Sequence, residues 1–453
     1  MTKDAVAKLA SYPHIVVSWE GDDGYPVQTP AHFEVDNDRG VVRIKRTAIS
    51  LPTDRQVNVI ASHIRPQPGV GYDERRYVTL WGTLTSDGAD EMILDPARSW
   101  GWDEAETPFF EYVERSNNRA LRYLRSLSLE HGRDFKPRLS RLWTILIATR
   151  LPFLTATFVA VLLGIAVAAR GGDFNFWLAL ATIIGAASIQ IGLNTANDIF
   201  DALSGADDEN FNPTQYSGGS SVIQRGIVSL KQMSAISALS YATGIGVGLF
   251  LVIERASTEL LAIGVVGVLL SFFYTAPPLR LVHRGLGELT VALGFGPIMV
   301  LGAYVVQAER LAWEPFVASI PVAILIALVL YVNEIPDRRS DAVVGKRTLP
   351  TRLSQDWVTR GFLVSSLLAF AVVAAAAVTG VIARPALIAV IAIPLALQVY
   401  RGIRTYYTSP YELMATMGKN VQLHLVVGLL LFVGYMVAVV ADELLASPPA
   451  ILT

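Results

Sequence analysis

Two hydropathy patterns divide the chain. Up to about Gly132, apolar and polar residues alternate over short stretches; after about Leu142, long apolar runs are separated by polar loops. Short alternation with turn residues between segments predicts antiparallel strands. Ile15–Trp19 leads into the turn Gly21-Asp22-Asp23-Gly24, Pro26–Val35 into Asp36-Asn37-Asp38-Arg39-Gly40, and Val41–Lys45 follows. Val57–His63 and Arg76–Thr85 add two more strand candidates, and Leu121, Leu124 and Leu127 or Leu129 put one apolar face on a helix over Glu111–Leu129. A small N-terminal β-barrel is the expectation for this part.

The second pattern predicts a multi-pass α-helical membrane bundle. Nine apolar runs occur: Leu151–Ala169, Trp177–Asp198, Met233–Ile253, Leu260–Ala276, Leu286–Gln307, Phe316–Val332, Phe362–Ile382, Pro385–Tyr400 and Leu423–Val440. Most approach the roughly 20 residues that cross a hydrocarbon core. The eighth is short and interrupted by Pro394. The expected division is therefore a soluble domain over 1–132, a basic linker and interfacial segment over 133–150, and a transmembrane domain over 151–441.

Composition fits that division: the 453 residues are 52% hydrophobic, which is unlike a purely soluble protein. A net charge of −2 gives no electrostatic case for nucleic-acid binding, and the absence of cysteine excludes disulfides and thiolate chemistry. Arg225, Lys231, Arg280, Arg284, Arg338, Arg339, Lys346, Arg347, Arg352, Arg404 and Lys419 fall in alternate loops, on the same side as the basic linker. The positive-inside rule makes that side cytoplasmic and the C-terminus external. Met1-Thr2-Lys3-Asp4-Ala5 carries no apolar stretch, so the soluble domain is expected to stay in the cytoplasm.

Acidic residues carry the chemistry. Asn197-Asp198-Ile199-Phe200-Asp201 ends the second run and Asn333-Glu334-Ile335-Pro336-Asp337-Arg338-Arg339-Ser340-Asp341 ends the sixth, four helices later. Carboxylates beside a bilayer are costly without a partner or cation. Asn197 and Asp201 share a helical face, as do Asn333, Asp337 and Asp341. Gly205 favours a break, after which Asp207 and Asp208 re-enter from the loop. Helix capping explains one such cluster; two at matched positions point to hard oxygen ligands holding Mg²⁺ against a polyanion. Tyr274-Thr275-Ala276-Pro277 and Tyr407-Thr408-Ser409-Pro410 also sit four runs apart, which suggests two four-helix repeats around a central cavity.

Asn197-Asp198-x-x-Asp201 with Asn333-x-x-x-Asp337-x-x-x-Asp341 resembles the paired aspartate motifs of the UbiA-type intramembrane prenyltransferase superfamily, over about residues 140–441. Gly218-Gly219-Ser220-Ser221-Val222-Ile223-Gln224-Arg225-Gly226, Leu286-Gly287-Glu288-Leu289 and Gly345-Lys346-Arg347-Thr348-Leu349 resemble the branch acting on 1,4-dihydroxy-2-naphthoate in menaquinone synthesis. Gly205 replaces the third acid of the ubiquinone-type motif, with Asp207 displaced by two residues, a variant that the naphthoate branch shares. The resemblance implies Mg²⁺-dependent transfer of a polyprenyl group from its diphosphate to an aromatic acceptor. It assigns Asn197, Asp198, Asp201, Asp207, Asp208, Asn333, Asp337 and Asp341 to the metal, with Asp201, Asp337 and Asp341 catalytic. Arg225, Lys346 and Arg347 are diphosphate-binding candidates, or residues that set topology. Tyr274 faces the allylic cation or anchors the interface. Other acceptors (a glycerol ether lipid, a phosphoribosyl group, homogentisate, haem) and a polyprenyl-phosphate carrier that makes no bonds remain as alternatives.

The N-terminal part resembles the flavin-binding split barrels of the pyridoxamine-phosphate-oxidase-like superfamily, through Gly24-Tyr25-Pro26, Val41–Thr47 and Arg76–Gly82. On that resemblance Arg43, Lys45 and Thr47 cradle the phosphate of FMN or another flavin; the alternative is solvated residues on a sheet face. Oligomeric state and prenyl length are not readable here.

Overall fold

The computed structural model describes residues 2–45, 47–67, 71–87, 91–107, 112, 126, 128–132, 140–204, 219–220, 222–224, 226–343 and 345–446. Its contacts divide the chain into two compact units, Met1–Ala120 and Leu121–Thr453.

In the first unit a short helix, α1 (Thr2–Leu9), precedes seven strands: β1 (Ile15–Glu20), β2 (Pro26–Ala31), β3 (Phe33–Asp36), β4 (Val41–Lys45), β5 (Gln56–Gln67), β6 (Gly71–Ser86) and β7 (Glu91–Asp103). They form one curled antiparallel sheet, ordered β2-β1-β5-β6-β7-β4-β3. Period-two alternation places Ile15 and Val17, Val42 and Ile44, and Val57 and Val59 on one face, where Val6 and Leu9 of α1 complete a buried core. The expected strands are all present, with Pro26–Val35 split in two at His32. β7 was not anticipated, because Asp95, Pro96 and Gly101 interrupt its alternation. The helix expected over Glu111–Leu129 lies largely outside the described residues.

The second unit is helical. A capped helix, α2 (Arg141–Ala148), and a 3₁₀ turn over Leu151–Leu154 lead into α3 (Thr155–Arg170). Then come α4 (Phe176–Ser204), α5 (Leu230–Arg255), α6 (Thr258–Phe273), α7 (Gly287–Ala308), α8 (Trp313–Val343), α9 (Gln355–Val378), α10 (Arg384–Tyr406) and α11 (Pro410–Ala446). Among the described residues seven of these are long and apolar enough to cross a membrane. α3 and α6 are shorter apolar helices, standing where the first and fourth runs were expected. Seven of the nine expected runs thus reach spanning length by themselves, the eighth among them.

Between lipid-facing helices burial from water gives little drive, so close backbone approach carries the packing. α3 shows this on two sides: a side chain at Gly164 would meet Val300 O of α7, and one at Gly428 of α11 would meet Val159. α7 is irregular, with a π turn at Gly294–Ile298 that contains Pro297. There Gly296 leaves helical geometry and approaches Ala323 of α8, and Phe295 faces the central cavity described next.

Candidate active site

The lower end of α4 carries a polar stripe that interrupts an apolar helix: Gln190, Asn194, Asn197 and Asp201. These positions recur at helical spacing and so share a face. Gln190 Nε2 donates to Phe153 O at 2.9 Å and Asn194 Nδ2 to Thr149 O at 3.1 Å, which ties α4 to the irregular chain between α2 and α3. The stripe thereby fixes Arg150, a left-handed residue with φ 52° at the bend between α2 and the 3₁₀ turn.

Asn197 and Asp201 meet the second cluster across one cavity of about 220 Å³. Asn333, Glu334, Asp337 and Asp341 of α8 line it, with Tyr274 from the end of α6 and Lys346 from the loop after α8. Carboxylates four runs apart in sequence are thus neighbours in space. Asn197 Nδ2 donates to Asp201 Oδ2 at 3.2 Å. Lys346 Nζ lies 3.2 Å from Asp201 Oδ1 and 3.8 Å from Asp341 Oδ1, a cation between the two clusters. Burial alone would lower the Lys346 ammonium, but Asp201 and Asp341 outweigh it and hold its pKa above the ordinary lysine value.

Asp198 is placed differently. It is buried beside the cavity, bound to the Arg150 guanidinium and the Ser220 hydroxyl, and it accepts Ser220 N–H at 3.3 Å. Its oxygens are therefore engaged in fastening the bend at Arg150 to the returning loop. Arg347 does not line the cavity; its backbone N–H donates to His283 O at 3.1 Å. Asp207, Asp208 and Arg225 lie outside the described residues. Arg150, Glu334, Ser340 and Thr348 line the site without having been anticipated, as do Gln190 and Asn194. The four-residue polar rhythm of α4 was the available signal for the last two.

The donor set suits a hard cation. Asn333 Oδ1 is buried without a hydrogen-bond partner, and Asp201 Oδ1 has its ammonium contact but no aligned hydrogen bond. Buried oxygens in that condition are costly unless a cation or ligand satisfies them. Among the described residues no three acidic or histidine side chains converge into a ready-made metal cage. The orphaned amide and carboxylate oxygens themselves are hard donors of the kind that Mg²⁺ takes beside water and phosphate oxygens.

Arg43, Lys45 and Thr47 of the first unit do not form a phosphate cradle. Arg43 pairs with Asp87 at 3.1 Å and Asp36 at 3.6 Å, Lys45 with Glu34 at 2.6 Å, and the Thr47 hydroxyl donates to Ile49 O. Their charge is neutralised by acids on the same sheet, as on an ordinary solvated face, and a flavin is not supported.

A second cavity of about 300 Å³, lined almost wholly by apolar side chains of α4–α7, adjoins the first; Gln190, Leu193, Tyr274, Val291 and Phe295 line both. A charged chamber joined to an apolar one suits an amphiphile with an anionic head.

Comparisons agree. A 1,4-dihydroxy-2-naphthoate octaprenyltransferase of Bacillus subtilis is 26% identical over 297 residues, 66% of this chain and 92% of that protein. A 2-carboxy-1,4-naphthoquinone phytyltransferase of Synechocystis is 29% identical over 308 residues, 66% of this chain and 94% of that one. A UbiA homolog from Archaeoglobus fulgidus bound to GPP and Mg²⁺ superposes with a TM-score of 0.43 at 10% identity, covering 66% of this chain and 99% of that one. Likeness of that order carries no argument about chemistry. The model of the UbiA prenyltransferase family matches residues 157–420, more than half of the chain and inclusive of both acidic clusters, and the chain belongs to that family.

Proposed function

We propose that this prenyltransferase moves a polyprenyl group from polyprenyl diphosphate to an aromatic acceptor in a Mg²⁺-dependent reaction, with 1,4-dihydroxy-2-naphthoate or a closely related quinone precursor as the acceptor. The observation that carries the reading is the convergence of Asn197 and Asp201 with Asn333, Asp337 and Asp341 around one cavity. The names of the naphthoate-acting relatives support the acceptor.

Asn197, Asp201, Asn333, Asp337 and Asp341 would hold the ion, and Mg²⁺ bound there would supply charge that offsets the diphosphate as it departs. The bond between prenyl C1 and the bridging oxygen breaks, and its electron pair leaves with diphosphate. A carbon of the electron-rich ring bonds to C1, and the ring then loses a proton, or carbon dioxide from a carboxylated carbon, to regain aromaticity. Lys346 acts as a charge-assisted donor to the departing oxygens. Tyr274, at the junction of the two cavities, turns its ring toward the allylic cation, a contribution of about 0.5–2 kcal/mol. Asp198 acts through Arg150 and Ser220 as a positioning residue.

The same reading places residues 151–441 in the cell membrane, with the 133–150 linker and residues 1–132 on the cytoplasmic side and the C-terminus external. Purified protein incubated with labelled polyprenyl diphosphate, Mg²⁺ and a panel of acceptors tests the activity. Release of diphosphate with a prenylated naphthol product supports it. Donor binding without any bond formation, as a carrier would show, overturns it.

A further inference from the structure

One wall of the charged cavity carries an acid to which the metal site gives no role. Glu334 of α8 is 6% exposed and lines the charged cavity but not the apolar one. It precedes Asp341 by seven residues, which puts it about 10 Å farther from the C-terminal end of α8. Both its carboxyl oxygens are buried without an aligned hydrogen-bond partner, and the ammonium of Lys346 is engaged by Asp201 and Asp341 instead. Glu288 of α7, which accepts Leu349 N–H at 3.4 Å, lies against it. The residue before Leu349 is Thr348, which also lines the charged cavity, and its hydroxyl too is buried without a partner.

A buried carboxyl group with nothing to satisfy it is costly, so a partner brought into the cavity is stabilising. Of what the reaction brings, a prenyl chain has no polar atom and a diphosphate offers chiefly acceptor oxygens. A hydroxyl on the acceptor ring is a hydrogen-bond donor, and a carboxyl oxygen can accept from it in either protonation state. The surrounding wall suits the rest of such a ring. Val282, Ile326, Val329 and Leu330 line the charged cavity and take no part in the apolar one.

We propose that Glu334 accepts a hydrogen bond from a ring hydroxyl of the aromatic acceptor, with the ring laid against Val282, Ile326, Val329 and Leu330. The proposal deepens the prenyl-transfer reading above and rests on it. The donor's hydrocarbon then takes the apolar cavity and the ring takes this wall, so that the two meet at Tyr274, which lines both cavities. A hydroxyl that donates to a carboxyl releases electron density into its ring, which favours attack of a ring carbon on prenyl C1. The same contact selects the acceptor. A ring without a hydroxyl at that position leaves the buried carboxyl unpaired, and a site built to bond a hydroxyl discriminates strongly against its absence.

The test is equilibrium dialysis of three probes against the full chain in detergent, with Mg²⁺ and an unreactive polyprenyl thiodiphosphate present. The probes are 1,4-dihydroxy-2-naphthoate, kept under argon, 1-hydroxy-2-naphthoate and 4-hydroxy-2-naphthoate. With the parent protein, the probe lacking the bonded hydroxyl should bind about tenfold or more weakly than the diol, and the other within about twofold of it. With Glu334→Ala all three should bind within about twofold of one another. Glu334→Gln keeps an oxygen that can accept and should give an intermediate discrimination of about threefold, which covers the case in which the alanine variant does not fold. Equal binding of all three probes to the parent overturns the proposal, and so does parent-like discrimination in Glu334→Ala, which would give the hydroxyl to water or to another residue. The Mg²⁺ concentration that half-saturates thiodiphosphate binding should stay within about twofold in both variants. A larger shift there than in acceptor affinity would make Glu334 a metal ligand and overturn it as well. Discrimination that depends on Glu334 in a protein that transfers nothing would count against the transfer reading and leave this contact standing. Confirmed transfer with no such dependence refutes the contact alone.

Discussion

Replacing Lys346 with methionine removes the cation between the two acidic clusters and keeps most of the side-chain bulk. At an effective dielectric constant of about 20, the contacts of 3.2 Å to Asp201 and 3.8 Å to Asp341 correspond to roughly 5 and 4 kcal/mol of Coulomb attraction. Several kcal/mol of that offsets the cost of burying the ammonium, and removing one partner leaves buried carboxylates uncompensated. The expected net loss is about 3 kcal/mol. Thermal unfolding in detergent with excess EDTA should therefore occur about 5 °C lower in Lys346→Met, with Lys346→Arg close to the parent. The pH dependence has a defined sign. The folded pKa of Lys346 is raised above 10.5, so its contribution is fully present below that value and is lost only as pH rises through the higher folded value. The deficit should consequently be flat between pH ~7 and ~9. A variant that melts within about 1 °C of the parent in EDTA would refute the argument, since the buried acids would then have other compensation.

Asp201→Ala or Asp337→Ala should lower transfer by about a hundredfold or more while the helical unit stays folded, as judged by activity beside a thermal melt; full activity in both sinks the two-cluster site. Asp198→Ala should cost about 3 kcal/mol of stability through the stranded Arg150, yet shift the Mg²⁺ concentration for half-maximal activity less than Asp201→Ala does; the reverse order in a Mg²⁺ titration would make Asp198 a ligand. Reporter tags at Gly219–Ser220 and at Lys346 should read cytoplasmic, and one at Thr453 external, with an internal C-terminus pointing to one span fewer or more.

Much of this was legible because it follows from local spacing. The membrane runs, the strands from Ile15 to Thr85 and the shared faces of Asn197 with Asp201 and of Asn333, Asp337 and Asp341 need nothing beyond helical and strand periods. The division of labour between Asp198 and Asp201 was not legible, because adjacent acids look equivalent until Arg150 and Ser220 claim one of them. Arg150 stands 48 residues from Asp198, and no periodicity connects a bend to a helix end at that distance. The echo of Tyr274 in Tyr407 was visible, but the two do different things: Tyr274 lines the cavities, whereas Tyr407 receives the Arg338 guanidinium 4.7 Å from its ring centre. For Arg43, Lys45 and Thr47 the sequence showed basic and hydroxyl groups but not the acids facing them across the sheet.

The π turn at Gly294–Ile298 gives the protein a route of change other than substitution. A π turn holds one residue more than the helix around it, so deleting one residue there can restore regular winding without losing the span. Because the wide turn absorbs that extra residue, Val291 before it and Gly302 and Val306 after it would keep their facing. One lost codon would instead reshape the wall locally, where Gly294, Phe295 and Ile298 line the apolar cavity, while the acidic clusters on α4 and α8 stayed in place. Variation among relatives in what they prenylate can therefore be sought in the length of this segment as well as in its residues.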